Sequence, residues 1–412
     1  MTPARARSSV GLIAVFCAAQ TFAQLGAFAF PALLPGFFDE WRLTHTEAGW
    51  LSGIFFGAYS AAVPLLVTLT DRIEARKIYI AAVALTALSH LGMALLAEGF
   101  LSGLTFRILA GIGWAGTYMV GLKALTDHLE GAGQSRGVAA HAASIGISGS
   151  LSFLLAGVMA TWFDWHAAFI AGAVGALAAL AVAVTLFPKD APPPERPPGQ
   201  KLLDFKPVFR NRSAMAYAIG YCVHTWEMFV VRSWVVTFLV FTAAQSGGPI
   251  NFLIPTVVAM LMELIGTVMS VVGNEMAVRF GRQRWILTVM VGSMAVSLVV
   301  GFSSAWGYGA AAAICLLYNA LIYADSASLT AGTVGSAEPG RRGATLAIHA
   351  MMGYGGGFVG PLVMGVLLDW LGGESVLNWG LSFAHLAVIM LLGPLAFAIL
   401  KPRGLSGDRP RR

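Results

Sequence analysis

Charge is scarce in this sequence. Only 11% of its 412 residues are Asp, Glu, Lys or Arg, against about a quarter in an ordinary soluble domain. A water-facing surface for a chain of this length cannot be assembled from so few, so a soluble globular protein is excluded. Cysteine is scarcer still. Cys17, Cys222 and Cys315 stand apart in apolar runs without C-x-x-C spacing, which reads as small core residues and not as disulfide or metal chemistry. There is no G-x-x-x-x-G-K-[ST] loop and no polar domain to hold a nucleotide. No cluster of Cys, His and acids has metal-ligand spacing, and no nucleophile–base pattern supports an enzyme. No cofactor and no metal are expected. The 48 glycines follow no G-X-Y period, which excludes collagen.

What remains is hydrophobic: 57% of residues are apolar and the mean hydropathy is +0.74. About 20 apolar residues cross a bilayer as a helix. Twelve such stretches can be read, at 10–36, 47–69, 79–98, 101–124, 137–161, 166–187, 212–241, 250–272, 285–303, 307–330, 343–368 and 377–400. Arg5 and Arg7 before the first run resemble a signal peptide, but the run continues to Pro31 and more follow, so a retained first span is expected.

Positive charge tests the count, because Lys and Arg concentrate in cytoplasmic segments. With an internal N-terminus, 23 of the 26 Lys and Arg residues fall on that side: among them Arg72, Arg76 and Lys77 after span two, Arg279, Arg282 and Arg284 after span eight, and Lys401 and Arg403 in the tail. The exceptions are Arg42, outside, and Arg107 and Arg232, within spans. The expected placement is a bacterial inner membrane, multi-pass, with both termini cytoplasmic. The net charge of +6 therefore reports topology and not nucleic-acid binding. The Pro-rich stretch "KDAPPPERPPGQ" is unsuited to a regular helix. It divides the chain into a first six-span unit at 1–187, a cytoplasmic linker at 188–210 and a second unit at 211–412, with "LLDFKPVF" as a short segment along the membrane surface. "TDRIEARK" after span two and "AVRFGRQR" after span eight are matching loops, as duplication predicts.

These loops carry a resemblance to the major facilitator superfamily. Asp71, Arg72, Arg76 and Lys77 match the charged positions of its signature loop, although Val67 and Glu74 replace the usual glycines. The second copy keeps Arg279, Phe280, Gly281 and Arg282, with Val278 in place of the acid. "RILAGIGWAG" resembles the span-four signature through Arg107, Gly111 and Gly113. "GYGGGFVGPLVMG" in span eleven, with Gly360, Pro361 and Gly365, resembles the Gly–Pro motif the family often has in span five; here span five has Gly146, Gly149 and Gly157 without the proline. "FDWHAAF" places His166 where Arg is common at the start of span six. The resemblance implies an all-α membrane protein of twelve transmembrane helices in two six-helix bundles, moving solute by alternating access. It leaves the cargo open.

Charged and polar residues inside spans are the candidates for function, since a charge facing lipid is expensive. Arg107 reads equally as an anion site and as a buried anchor between spans. Span seven, "YCVHTWEMFVVRSW", holds Tyr221, His224, Glu227 and Arg232. His224 and Glu227 share a helix side, whereas Glu227 and Arg232 are five apart and need not pair. Gln20 and Gln24 are one turn apart in span one. Substrate contacts are expected among Gln20, Gln24, Arg107, Tyr221, His224, Glu227, Arg232 and Tyr323. Glu227, Glu263 and Asp325 are candidate proton sites, because a buried carboxylate must pair or become protonated; Tyr318, Asn319 and Tyr323 are placed to bond Asp325. Asp71, Arg72, Arg76, Lys77, Arg279 and Arg282 are expected to gate. His141 and His349 read as structural histidines before pH sensors, and Glu275 as a loop or gating residue.

The leading expectation is proton-coupled symport of a small organic anion by a monomer in the lipid bilayer. The alternative is a proton-coupled multidrug or metabolite exporter led by its carboxylates. A transport-like receptor is a third class. No selectivity loop suggests a channel.

Overall fold

The computed structural model describes residues 9–189, 205–339 and 341–405, and it is helical throughout. Among the described residues, eleven helices are long and apolar enough to cross a membrane. The linker residues 190–204, with Arg196 and Lys201, the arm with Arg5 and Arg7, and the tail arginines Arg409, Arg411 and Arg412 lie outside the described residues.

The first apolar stretch departs from the expected continuous span. It forms two helices, α1 (Ser9–Ala23) and α2 (Ala29–Glu40), separated by turns at 24–28. The interruption exposes backbone groups that are satisfied locally: Phe28 N donates to Ser152 Oγ at 2.9 Å, and Arg107 donates to Ala27 O at 3.4 Å. Broken backbone at membrane depth persists only where protein groups take over its hydrogen bonds.

The rest of the first half comprises α3 (His45–Leu69), α4 (Ala75–Leu96), α5 (Phe100–Thr126), α6 (Gly131–Trp162) and α7 (Trp165–Leu186). Local chemistry sets several of the starts. Thr44 and Glu47 form a capping box at α3, Asp164 accepts from Ala167 N at 3.0 Å at α7, and Asn211 accepts from Ala214 N at 3.1 Å at the head of the second half. Such caps satisfy amides that have no partner within the helix.

A five-residue helix, α8 (Lys206–Arg210), is the described part of the expected surface segment. It is followed by α9 (Arg212–Gln245), α10 (Pro255–Phe280) and α11 (Arg282–Val300), which runs into a 3-10 turn at Gly301–Trp306. Span ten is also interrupted: α12 (Tyr308–Tyr323) and α13 (Ser326–Gly335) meet at Asp325. Then come α14 (Arg342–Trp370), α15 (Val376–Met390) and α16 (Leu392–Leu400). Among the described spans α9 is the most enclosed, and α10 is far more open to its surroundings. Helix α9 is therefore the one whose polar residues are best shielded from lipid.

The halves meet where α14 packs along α3, where α6 packs on α10, and where α2 reaches α9. Close approach at the first seam depends on small residues: a Cβ on Gly49 would lie 2.6 Å from Pro361 O and 2.9 Å from Leu362 Cα. Cross-half hydrogen bonds among the described residues run from His45–Asp369 at one end to Ser60 Oγ and Met351 O, 2.9 Å apart, further along. The end carrying His45 is the end away from Arg72 and Arg76.

Candidate substrate and coupling site at the seam of the two halves

The span-seven residues all lie on α9, and all but Tyr221 are buried. Arg232 forms a bidentate pair with Glu263 of α10, its Nε donating to Oε1 at 2.6 Å and its Nη2 to Oε2. The two side chains are 7% and 2% exposed. The pair belongs to the second half but touches the first. The Phe28 ring lies 4.7 Å from the guanidinium carbon, and a Cβ on Gly149 would be 2.9 Å from Glu263 Oε2. Tyr323 and Phe229 complete the aromatic surround at 5.7 and 5.6 Å.

Glu227, which by its spacing need not pair with Arg232, has other partners. Its Oε1 accepts from Ser293 Oγ and from Tyr318 OH, both at 2.7 Å, while Oε2 has no partner. His224 lies 2.9 Å from Asp325 without the alignment of a hydrogen bond. The tyrosines and Asn319 expected around Asp325 serve other groups: Tyr318 bonds Glu227, Asn319 donates to Met262 O at 2.5 Å, and Tyr323 faces Arg232. Three carboxylates thus occupy one buried belt, each with a different partner.

In the first half, Arg107 donates to Leu51 O at 2.9 Å and to Ala27 O, with Phe55 and Phe30 against its guanidinium at 4.5 and 5.4 Å. It holds α3 and the broken first span together. Gln20 is fully buried with both amide atoms unpartnered, and Gln24, inside the break, accepts from Ser148 Oγ at 3.4 Å. Tyr221 stacks on His349 with ring centroids 3.8 Å apart. Both nitrogens of His349 reach threonines, Thr333 at 2.9 Å and Thr330 at 3.2 Å. His141 Nε2 bonds Tyr118 O at 3.1 Å, and Glu275 is exposed.

Of the loop residues expected to gate, Arg76, Lys77, Arg279 and Arg282 have contacts inside their own halves. Arg76 donates to Val184 O at 2.5 Å at the end of α7, and Lys77 pairs with Glu74 at 2.7 Å. Arg282 reaches Asn274 Oδ1 at 3.1 Å and Ser328 O at 3.3 Å, and Arg279 lies against Phe280. Among the described residues, a charge contact across the halves lies instead at the opposite end, where Asp369 accepts from His45 N at 3.1 Å and Thr46 N at 2.7 Å and pairs with His45 Nδ1 at 2.8 Å. A carboxylate from α14 therefore caps the N-terminus of α3, where the helix dipole favours negative charge. Glu374 stands 3.9 Å from the same imidazole, and burial pushes its carboxyl up to about 7.

Sequence reasoning missed the aromatic plug between the halves. Tyr59 and Tyr354 meet at 3.9 Å, Phe56 and Phe229 at 3.8 Å, and Trp114 lies 5.4 Å from Tyr59. It also missed the His45–Asp369 latch and Ser293. Aromatics flanked by small residues in spans two, four and eleven were the available signal for the plug; nothing in the sequence pairs His45 with a residue 324 positions away.

A family model described as Major Facilitator Superfamily matches residues 16–334. The uncharacterized MFS-type transporter YwoD of Bacillus subtilis (strain 168) is 25% identical over 151 residues, 37% of this chain and 33% of that protein. The match thus spans about a third of that relative's length. Among solved structures, a bacterial homologue of the human lysosomal transporter Spinster, inward-facing and occupied, aligns over 95% of this chain and 96% of its own at TM-score 0.72 and 14% identity. The nucleoside transporter NupG aligns over 95% and 100% at TM-score 0.72 and 16% identity. Likeness at such identities concerns the fold.

Proposed function

Because this chain belongs to the Major Facilitator Superfamily, a family of membrane transporters and not of enzymes, we propose that it is a secondary active transporter that moves a small organic anion together with a proton by alternating access. The broken pair α1–α2 counts as one crossing in this reading, giving twelve spans in two bundles of six. The cytoplasmic side is the one rich in Lys and Arg. The hydrogen bonds between the halves lie from the opposite end to mid-span, which supports reading the conformation as inward-facing, and in this reading the chain acts as a monomer.

The observation that carries the coupling is the buried Arg232–Glu263 pair at the seam. An unpaired buried charge costs several kcal/mol. A proton taken by Glu263 frees the Arg232 guanidinium, which then donates to a cargo carboxylate; without cargo, the freed cation is unfavourable. Without the proton, an incoming anion meets a site already neutralised and bordered by Glu263. Proton and anion therefore enter together, and the site stays neutral when both are bound. Glu227 and Asp325 form the onward proton acceptors within the same bundle.

Uptake of labelled mono- and dicarboxylates into liposomes containing the purified protein tests this reading. Accumulation driven by an inward proton gradient is expected, and it disappears in Glu263→Gln. The exporter alternative draws on the aromatic plug and the three buried acids, which suit an apolar cation. Gradient-driven exchange of such cations, with no carboxylate flux, would replace the anion reading.

A further inference from the structure

Away from the seam, at the Lys/Arg-rich end, lies a cavity of about 770 Å³ between the start of α9, the end of α13 and the end of α16. Arg210, Arg212, Lys401 and Arg403 line it together with Ser213 and Ser336. Its walls are tied by three hydrogen bonds: Asn211 Nδ2 to Ser336 O at 2.7 Å, Arg212 Nη2 to Ile399 O at 2.8 Å, and Arg403 N to Ser213 Oγ at 3.0 Å. Lys401 adopts a left-handed conformation, with φ of 46°, and so turns the chain at the end of α16.

The charge around this cavity is one-sided. Its single lining carboxylate, Glu338, faces Arg341 at 4.0 Å. Among the described residues, none of the four lining cations is paired with a carboxylate. Four like charges gathered around one space repel each other unless an anion sits among them. Ser336 Oγ is buried in the wall without a partner. Beside the cavity, α8 leaves Phe209 57% exposed between Lys206 and Arg210. An apolar ring flanked by cations suits the boundary between headgroups and acyl chains.

We propose that this cavity is a binding site for the phosphate headgroup of an anionic phospholipid of the cytoplasmic leaflet, with Arg210, Lys401 and Arg403 as its cations and Phe209 beside the acyl chains. Basic pockets at this level of a membrane protein suit anionic headgroups. The inference rests on the orientation given above and not on the identity of the cargo, so neither the anion nor the exporter reading bears on its test.

The test is the apparent Tm of the full-length protein in detergent, titrated with dioleoylphosphatidylglycerol, with phosphatidylcholine, or with inorganic phosphate. Phosphatidylglycerol is expected to raise the Tm at low mole fraction, and the other two are not. In Arg210→Gln/Arg403→Gln the apparent affinity should fall more than about tenfold, from roughly fivefold per surface cation lost. It should be retained in Arg210→Lys/Arg403→Lys and in Arg136→Gln/Arg284→Gln, which removes equal charge from exposed positions elsewhere on the same end. Equal loss in both Gln pairs would overturn the site in favour of diffuse surface attraction. An equal response to inorganic phosphate would overturn the lipid as its source. If the first Gln pair does not fold, loss of the phosphatidylglycerol response in single Arg403→Gln supports the site, and its retention counts against it.

Discussion

Replacing Glu263 by Gln leaves the Arg232 guanidinium buried beside a neutral amide. The pair is almost wholly enclosed, at 7% and 2% exposure, and no other carboxylate bonds Arg232 among the described residues. Breaking a buried pair on one side costs about 3–5 kcal/mol. At about 2 °C per kcal/mol for a large chain, the apparent Tm should fall by about 6–10 °C. Removing both charges with side chains of similar volume, Arg232→Met/Glu263→Leu, should return the Tm to the wild-type value or above it, because the desolvation cost vanishes with the pair. Transport is lost in both variants if the pair is the coupling element, so stability and flux separate in the double substitution. A small carboxylate should stabilise Glu263→Gln more than the wild type, by filling the place of the missing anion. Unfolding followed by intrinsic fluorescence, with and without carboxylate, reads all three effects. A drop below about 2 °C for Glu263→Gln, or a double variant as unstable as the single, would refute the premise that this charge is dry and mutually compensated.

Three further outcomes follow from the seam. Asp369→Asn removes a charge from the cap of α3 and should favour opening of that end by about 1–2 kcal/mol, seen as a longer distance between spin labels at positions 42 and 377; an unchanged distance distribution would show that the latch does not hold the halves. Glu374 has its carboxyl raised to about 7 from an ordinary 4.5. Its contribution to stability is therefore complete below about pH 4.5 and is lost as pH rises through 7; Tm should decline over this window, and Glu374→Gln should flatten the decline. Gly49→Val places a side chain against Pro361 O and should cost about 1–3 kcal/mol by overpacking, with the same spin labels moving apart; a wild-type Tm and distance would mean that the seam yields at that point.

The polar belt was legible in part because a charged residue in an apolar run is conspicuous. Glu227, Arg232, Glu263 and Asp325 are each identifiable in that way, and the five-residue spacing left Glu227 and Arg232 free to take different partners. Their partners were not legible. Tyr318 was expected near Asp325 and instead bonds Glu227, because a helix fixes which residues share its own face but not how neighbouring helices are rotated. The break at 24–28 was hidden for a related reason: the residues there are as apolar as the helices they separate, and what permits it are groups from other spans, Arg107 donating to Ala27 O and Ser152 Oγ accepting from Phe28 N.

Membrane residence, the spacing of Lys and Arg between apolar runs and the presence of charges within those runs are properties of composition and order along the chain. The bilayer acts on each segment as it is, so the sequence by itself determined them. The bidentate Arg232–Glu263 pair, the aromatic plug, the capping of α3 by Asp369 and the gathering of Arg210, Arg212, Lys401 and Arg403 around one cavity join residues far apart in sequence. Only tertiary structure decided them, because hydrogen bonds and ion pairs depend on ångström-scale distances between helices that hydropathy does not encode.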